Sequence, residues 1–335
     1  MIDGPLSAAP WNRSRYDPAT GEGHVESWLQ RAAHPQRPLA FWIRYAIFSP
    51  RQRPADAFGE VWAAFFDGER GRMVVVKESV PLARCRFSRR DLDARVGMAT
   101  LDTFHLEGRA RSKSHTLRWQ LDYAGGQPPA MLLAPGRYER SFPDFKAFAG
   151  TPDALYRGVV AIDGEQVRVD GWPGTQNHHW GTRLPDRSAW GQVAGFDDAA
   201  DAYLECATVR LRLGGVPLPG LTTLLLRVDD REYRFGGAWR ALRASTRRDR
   251  FEWRLRSSAR GVRIQARLHA PASSFVALRY DDPAGGARVC VRTELAACEV
   301  TLERAGQAPR RLATAHRAAF EMLGRDIDPD VKIVA

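Results

Sequence analysis

The chain has 335 residues, a formal net charge of +11, 44% hydrophobic and 27% charged residues. This composition excludes a disordered or fibrous chain and allows one large or two medium folded domains. The basic excess is carried by arginines spread along the whole chain, with only four lysines, so it does not indicate a nucleic-acid partner. An arginine-rich surface leaves peripheral contact with an anionic membrane open.

The start of the chain and its cysteines bear on its location. The opening "MIDGPLSAAPWNRSRYDP" has no basic region followed by an apolar run, so we expect no signal peptide. The sequence contains no stretch of about 18 apolar residues, so we expect no transmembrane helix. The four cysteines form no C-x-x-C pair, which favours reduced, mostly buried thiols and a cytoplasmic protein: Cys85, Cys206, Cys290 and Cys298.

Alternation of apolar and polar residues dominates the chain from "AFWIRYAIF" onward. In "TLRWQLDY", four apolar side chains share one side: Leu117, Trp119, Leu121 and Tyr123. Asp163-Gly164 lies between two β-rich runs and predicts a tight hairpin. "FEWRLRSSARGVRIQARLHA" and "SFVALRYDDPAGGARVCVRTELAACEVTLER" repeat the pattern. We therefore predict an all-β protein, long enough for two antiparallel barrels or sandwiches.

Helical periodicity is clear only near the end of the chain. In "APRRLATAHRAAFEMLGRD", one stripe at helical spacing predicts a short C-terminal helix: Leu312, Ala315, Ala319 and Leu323. Pro173, Gly174 and Pro185 interrupt the strand pattern near the middle. We therefore predict an N-terminal barrel over residues 1–182 and a C-terminal barrel over residues 183–335.

The strand "DAYLECATVRLRLGG" places an acid on an otherwise apolar face. Alternation puts Tyr203 and Glu205 on the face that continues through Ala207, Val209, Leu211 and Leu213. A buried carboxylate is costly unless it is hydrogen-bonded, paired or protonated, and burial would raise its pKa toward that of a general acid. The alternative is a structural ion pair between Glu205 and an arginine such as Arg183 or Arg44.

Tryptophans cluster between "DGWPG" and "SAWGQ", just before this strand. Trp190 and Gln192 share one face in "SAWGQVAGF", so an amide points the same way as an indole ring. Tryptophans often plug barrel ends. The alternative is a cavity lined by Trp, Tyr and one acid, which would hold an apolar ligand and favour a cation through the ring faces.

The segment "TQNHHWGTR" over residues 175–183 contains adjacent histidines. In an extended chain His178 and His179 point to opposite faces, so they do not chelate one metal together. His178 shares its face with Trp180, and Asn177 shares the other face with His179. A histidine satisfied by a backbone carbonyl is as common as a functional one. No metal-ligand spacing, nucleotide-binding loop or nucleophile elbow occurs, so we expect neither metal nor cofactor.

These motifs resemble the double lipocalin-like (calycin) superfamily. This group contains AttH-like proteins, carotenoid 1,2-hydratases (hydroxyneurosporene synthases), tocopherol cyclases and lipocalin-like Diels–Alderases. The N-terminal "HVESWLQRAAHPQRPLAFWIRYAIFSP" is similar to the AttH-like branch. The resemblance implies two packed lipocalin-like barrels with an apolar pocket near their interface. It also implies catalytic roles for His178, Trp180 and Tyr203, and for Glu205 in place of the usual Asp.

Two functions fit these expectations. The first is a cofactor-independent cyclase or hydratase, including a Diels–Alderase-type cyclase, that acts on an apolar polyene or isoprenoid. Glu205 would protonate a double bond while Trp180 and Tyr203 face the carbocation. Three residues would contact the substrate: Trp190, Gln192 and Asn177. The second is a lipocalin-like carrier that holds a hydrophobic ligand without chemistry.

Overall fold

The computed structural model describes residues 10–210, 212–213, 216–217, 219–237, 244–325, 331 and 333–335. Two large antiparallel sheets, of 12 and 10 strands, make up most of it. The change from one sheet to the other falls between Gly181 and Arg187. The division into domains at residues 182 and 183 stays a prediction.

The first sheet contains every strand from His24 to Gly181. Its strands are β1 (His24–Ala33), β2 (Leu39–Ser49), β3 (Phe58–Asp67), β4 (Arg72–Pro81), β5 (Cys85–Phe87), β6 (Asp93–Val96), β7 (Ala99–Asp102), β8 (His105–Arg111), β9 (Thr116–Ala124), β10 (Ala130–Met131), β11 (Phe145–Ile162) and β12 (Glu165–Gly181). Their order is β4-β3-β2-β1-β12-β11-β9-β8-β7-β6-β5, with β10 on β11. The sheet curls into a nearly closed barrel, in which β8 comes close to β4 and the backbone N–H of Arg111 donates to Glu78 Oε1 at 3.0 Å.

The second sheet follows in the chain. Its strands are β13 (Arg187–Phe196), β14 (Ala199–Arg210), β17 (Leu221–Val228), β18 (Arg231–Phe235), β19 (Ser245–Asp249), β20 (Glu252–Ala259), β21 (Val262–His269), β22 (Val276–Asp281), β23 (Ala287–Arg304) and β24 (Arg310–Gly324). Their order is β18-β17-β14-β13-β24-β23-β21-β20-β19, with β22 on β23. A separate pair joins β15 (Arg212–Leu213) to β16 (Val216–Pro217). Short 3-10 helices cover Pro18–Thr20, Pro54–Asp56, Leu82–Arg84, Pro135–Arg137 and Ala272–Ser274.

Local strand and turn predictions are confirmed. The predicted inner side of β9 is buried from Leu117 to Tyr123, while Arg118, Gln120 and Asp122 on the other side are exposed. Asp163 and Gly164 connect β11 to β12 with φ values of 54° and 94°, the left-handed backbone that a tight hairpin requires. These observations, with the two sheets, confirm the predicted all-β architecture of two packed barrels.

The three largest apolar clusters lie inside each barrel and between the two sheets. One fills the first barrel and contains Trp28, Tyr45 and Trp172. A second fills the other barrel and contains Leu204, Cys206 and Phe320. The third lies between the sheets, where outward side chains of β1, β2 and β3 meet those of β22, β23 and β24: Leu29, Trp42, Trp62, Leu278, Cys290 and Leu323 among others. Strands β1 to β3 are therefore buried on both faces, and residues between the barrels are as inaccessible as those inside them.

The predicted C-terminal helix is wrong. Residues 310–324 form β24, inserted between β13 and β23. Leu312 is buried and Ala315 is exposed, although both belong to the predicted helical stripe. The run from Arg317 to Phe320 is buried on both faces, and a short apolar run of this kind does not distinguish a helix from a central strand. As a strand, this segment pairs with β13 on one side and β23 on the other. A helix would leave the backbone groups along those two strand edges without partners.

Two further findings concern the chain's surroundings. No helix within the described residues is long and apolar enough to cross a membrane. The four cysteines are free thiols, of which Cys206, Cys290 and Cys298 are buried and Cys85 is partly buried.

Candidate active site between the two barrels

A network of buried polar side chains joins the two sheets where β12 faces β13. Thr175 Oγ1 donates to Gln192 Oε1 at 2.7 Å, and Gln192 Nε2 donates to Asn177 Oδ1 at 2.7 Å. Asn177 Nδ2 in turn donates to Thr175 Oγ1 at 2.8 Å. These three side chains have essentially no exposed surface. Because buried amides are costly without partners, their mutual hydrogen bonds fix how the barrels dock.

The network continues to the acid on β14. Gln192 Nε2 also donates to the Tyr203 hydroxyl at 2.8 Å, and that hydroxyl donates to Glu205 Oε2 at 2.9 Å. Trp190 Nε1 donates to Glu205 Oε1 at 3.0 Å. Strand pairing places Gln192 directly opposite Glu205, so one face of β13 and β14 presents all four side chains to the first barrel. The structure thus brings together five of the predicted site residues: Asn177, Trp190, Gln192, Tyr203 and Glu205.

Glu205 titrates near neutrality. The side chain is 1% exposed, and this burial raises its pKa, while the hydrogen bonds from Trp190 and Tyr203 lower it. The balance leaves a pKa of about 7. No described arginine forms an ion pair with Glu205. Arg183 lies 3.8 Å from Asp144 instead, so the predicted structural ion pair with Arg183 or Arg44 is wrong. A carboxyl group with this pKa can either give or accept a proton at physiological pH.

The two histidines of the "TQNHHWGTR" segment point to opposite faces of β12, as alternation predicts. His179 faces the second barrel, and its ring lies edge-on to Trp190 with 6.5 Å between centroids. Burial, helped by the positive charges of His178, Arg44 and Arg292, lowers the pKa of His179 to about 3. His179 is therefore neutral at physiological pH.

His178 instead lies inside the first barrel. Its Nε2 is 2.9 Å from Glu26 Oε1, its Nδ1 is 3.0 Å from the carbonyl oxygen of Trp11, and its ring stacks on Trp28 at 4.8 Å. Burial alone would raise the pKa of Glu26, but the hydrogen bonds from His178 and His24 outweigh it and leave a pKa of about 2.

Comparisons with known proteins address the fold. No protein-family model matches the sequence. Rv0493c and MT0513 of Mycobacterium tuberculosis, both uncharacterized, are each 24% identical over 301 residues, 88% of this chain and 85% of theirs. A candidate AttH protein from Nitrosomonas europaea superposes with a TM-score of 0.57 at 15% identity, over 96% of this chain and 100% of that one.

This chain has the AttH-type double-barrel fold. Kievitone hydratase of Nectria haematococca shares the fold with a TM-score of 0.55 at 10% identity, over 89% of this chain and 88% of that one. CghA, which has also been solved with Sch210972, gives a TM-score of 0.57 at 14% identity, over 96% of both chains. The fold expected from the resemblance is therefore confirmed.

Within the AttH-type fold, one predicted placement needs correction. His178 and Trp180 were expected to share a pocket with Tyr203 and Glu205, but they lie on the opposite face of β12. Their rings are 4.8 Å apart, and Trp180 packs with Tyr138 and Phe148 on the first barrel's side. The period of a strand is two, so a motif that spaces His and Trp two apart sends both to one side. Here that side is the barrel interior.

Sequence reasoning missed two members of this region. Thr175 completes the amide network, and His179 is the histidine that faces the second barrel. The signal was present, because alternation already grouped Asn177 with His179. Among the described residues, no three His, Cys, Asp or Glu side chains are placed to share a metal ion. The expected absence of a metal and of a cofactor stays a prediction.

Proposed function

We propose that this protein is a cofactor-independent hydratase or cyclase that acts on an apolar polyene or isoprenoid-like molecule bound between the barrels. One observation carries the proposal: Glu205, with a pKa of about 7, is held by a tyrosine and a tryptophan at the junction of two barrels. The double-barrel fold that the chain shares with kievitone hydratase supports the same reading.

In the proposed reaction, protonated Glu205 gives its proton to one carbon of a C=C bond. The π electrons form the new C–H bond and leave a cation on the other carbon. Water adds to that cation, and the proton that the water loses returns to Glu205, so the net reaction is hydration. In a cyclase, a second double bond would attack the cation in place of water, and the new cation would lose a proton to the Glu205 carboxylate, which forms a C=C bond and restores the acid. The ring faces of Trp190 and Tyr203 would favour the cation.

Access to Glu205 requires part of the protein to move. The segment around Ala130 packs on Tyr203 and Leu225. Arginines from β17 and β18 hold this segment, since Arg227 donates to the carbonyl oxygens of Pro128 and Pro129 at 2.6 and 2.9 Å, and Arg234 donates to that of Met131 at 2.6 Å. We propose that substrate reaches Glu205 when this segment or Trp190 shifts.

A non-catalytic carrier is the second candidate. Both oxygens of Glu205 already accept hydrogen bonds, and the side chain has almost no exposed surface. These facts favour a carboxylate that orients the interface. In such a carrier the apolar ligand would bind beside Trp190 and leave unchanged.

The two candidates differ in the fate of the ligand. Small molecules that co-purify with the protein are extracted, identified by mass spectrometry and returned to purified wild type and to Glu205→Gln. If the protein is an enzyme, wild type should form a product, and Glu205→Gln should lose turnover by at least ~100-fold, which is the usual contribution of a general acid. Unchanged turnover in that variant would refute the acid role, and recovery of every ligand unaltered would favour the carrier.

A further inference from the structure

Arg44 is a buried cation without a counter-ion. It lies on β2, between the two sheets, with 7% of its surface exposed. Its guanidinium rests on the ring of Tyr280 at 4.6 Å, and its Nη1 has no hydrogen-bond partner among the described residues. The carboxylate of Glu60, on the neighbouring strand β3, forms an ion pair with Lys77 at 2.5 Å. Burying a charge without a partner is expensive, so this position needs another explanation.

The surrounding charges do not neutralise Arg44. Arg31 pairs with Glu294 at 2.6 Å, while Arg292 pairs with Glu294 at 2.5 Å and with Glu321 at 2.9 Å. Two guanidiniums are therefore balanced by two carboxylates. Arg44 adds a third positive charge, and no described residue forms an ion pair with it. Arg31, Arg44, Arg292, Glu294 and Glu321 together thus carry one positive charge in excess.

Other donors around Arg44 are also unpaired. Buried nitrogens of three more side chains have no partner among the described residues: Arg31 Nη1, Trp42 Nε1 and His179 Nε2. Strand pairing puts Trp42 opposite Arg31 and Arg44 opposite Leu29, in adjacent rows of one sheet face. His179 lies one row further, opposite Ser27. The buried polar atoms without a partner on this face are therefore nitrogens that can donate a hydrogen bond. A binding site for an oxygen anion needs donors of this kind.

Trp190 connects this donor set with the Glu205 network. The guanidinium of Arg292 lies 6.0 Å from the Trp190 ring, and the ring of His179 lies 6.5 Å from it. The indole nitrogen of Trp190 donates to Glu205. At the edge of the interface, a cavity of about 160 Å³ reaches Phe145, whose ring contacts His179 at 6.0 Å.

We propose that Arg44, with Trp42 and His179, binds a carboxylate or another delocalised oxygen anion at one end of the ligand. The apolar body of the ligand would then cross Trp190 toward Glu205, and this part of the inference rests on the proposed function. The substrate class becomes an apolar polyene with an acidic head group. An Arg guanidinium suits this group because its planar N–H donors match two oxygens at once.

The test compares cis-parinaric acid, a fluorescent polyene carboxylate, with its uncharged methyl ester. Wild type is expected to bind the acid at least ~10-fold more tightly than the ester, because a charged hydrogen bond is lost in the ester. Arg44→Gln should weaken binding of the acid by a similar factor and leave the ester unchanged. Arg168→Gln, which alters a guanidinium on the surface with 83% of its side chain exposed, is the matched control and should bind both like wild type.

A second measurement needs no apolar ligand. Benzoate should raise the melting temperature of wild type but not of Arg44→Gln, relative to chloride at equal ionic strength. Without ligand, Arg44→Met should melt at or above the wild-type temperature, because no ion pair is lost. Arg292→Met should melt lower, because Glu321 loses its ion pair and Glu294 keeps only the one with Arg31.

The outcomes separate this inference from the proposed function. Equal affinity for acid and ester in wild type, with Arg44→Gln unchanged, would overturn the anion site and leave the apolar pocket standing. A clear fall in melting temperature of Arg44→Met would show a structural arginine and overturn it as well. Absence of binding by both probes, with no effect of benzoate, would also overturn it. The proposed function is tested independently by the Glu205→Gln turnover.

Discussion

Replacing Glu205 by glutamine should change how the stability of the protein depends on pH. Burial raises the pKa of Glu205 from 4.5 to about 7 in the folded state. At 1.36 kcal/mol per pKa unit, the ionised form costs the folded state ~3 kcal/mol. Because the folded pKa is the higher one, the stability contribution is full below pH 4.5 and is lost as pH rises toward 7 and beyond. Glutamine does not ionise and escapes this loss.

The variant should therefore gain on wild type as pH increases. The difference in unfolding free energy, Glu205→Gln minus wild type, should rise by ~3 kcal/mol between pH 4.5 and pH 8. Urea denaturation at four pH values measures this difference, and all other titrating groups cancel in it. Glu22→Gln, an exposed acid, is the control and should give a flat difference. A flat difference for Glu205→Gln as well would show an ordinary carboxyl group and refute the reasoning.

Three further predictions follow from the same geometry. Trp190→Phe removes the indole N–H that lowers the pKa of Glu205, so the pH at which Glu205 ionises should move above 7; NMR titration of a ¹³C-labelled glutamate carboxyl would show it, and an unmoved midpoint would contradict it. Glu26→Gln should lower the free energy of unfolding by ~3 kcal/mol at pH 7, because the pKa of Glu26 is lowered from 4.5 to about 2 in the folded state. This stabilisation is present above pH 4.5 and is lost as pH falls toward 2. Equal urea midpoints for the variant and wild type at pH 7 would argue against it. Gly181→Ala should destabilise the protein by ~2 kcal/mol or more, because the added Cβ would lie 2.3 Å from the carbonyl oxygen of Asp144. The control is Gly164→Ala, where the added Cβ meets open space and only the backbone strain at φ +94° should cost stability. Equal losses of stability in the two variants would contradict the steric account.

Alternation along single strands was enough to predict most of the fold. It gave the buried side of β9, the turn at Asp163-Gly164 and the shared face of Tyr203 and Glu205, because each depends only on neighbours along the chain. It failed for β24, where Ala318 and Phe320 are buried in the barrel while Ala319 is buried on the other face. Burial on both faces removes the period of two from which strands are recognised.

The site was predictable only in part, for a related reason. Alternation shows which residues share a face, but not which face lies inside a barrel and which lies between barrels. That choice depends on how the sheets pack. It explains why the resemblance led to His178 and Trp180, while the structure puts His179 and Asn177 opposite the second barrel. The unpaired charge of Arg44 was equally hidden, because 50 basic residues offer no sign of which one lacks a partner.

A crystal structure of the protein with cis-parinaric acid tests the central claim most directly. The claim is that an apolar ligand binds between the barrels, next to the network that ends at Glu205. We expect the polyene to lie against Trp190 and His179, with its carboxylate on Arg44. A polyene buried inside the first barrel, against Trp28 and His178, would contradict the claim.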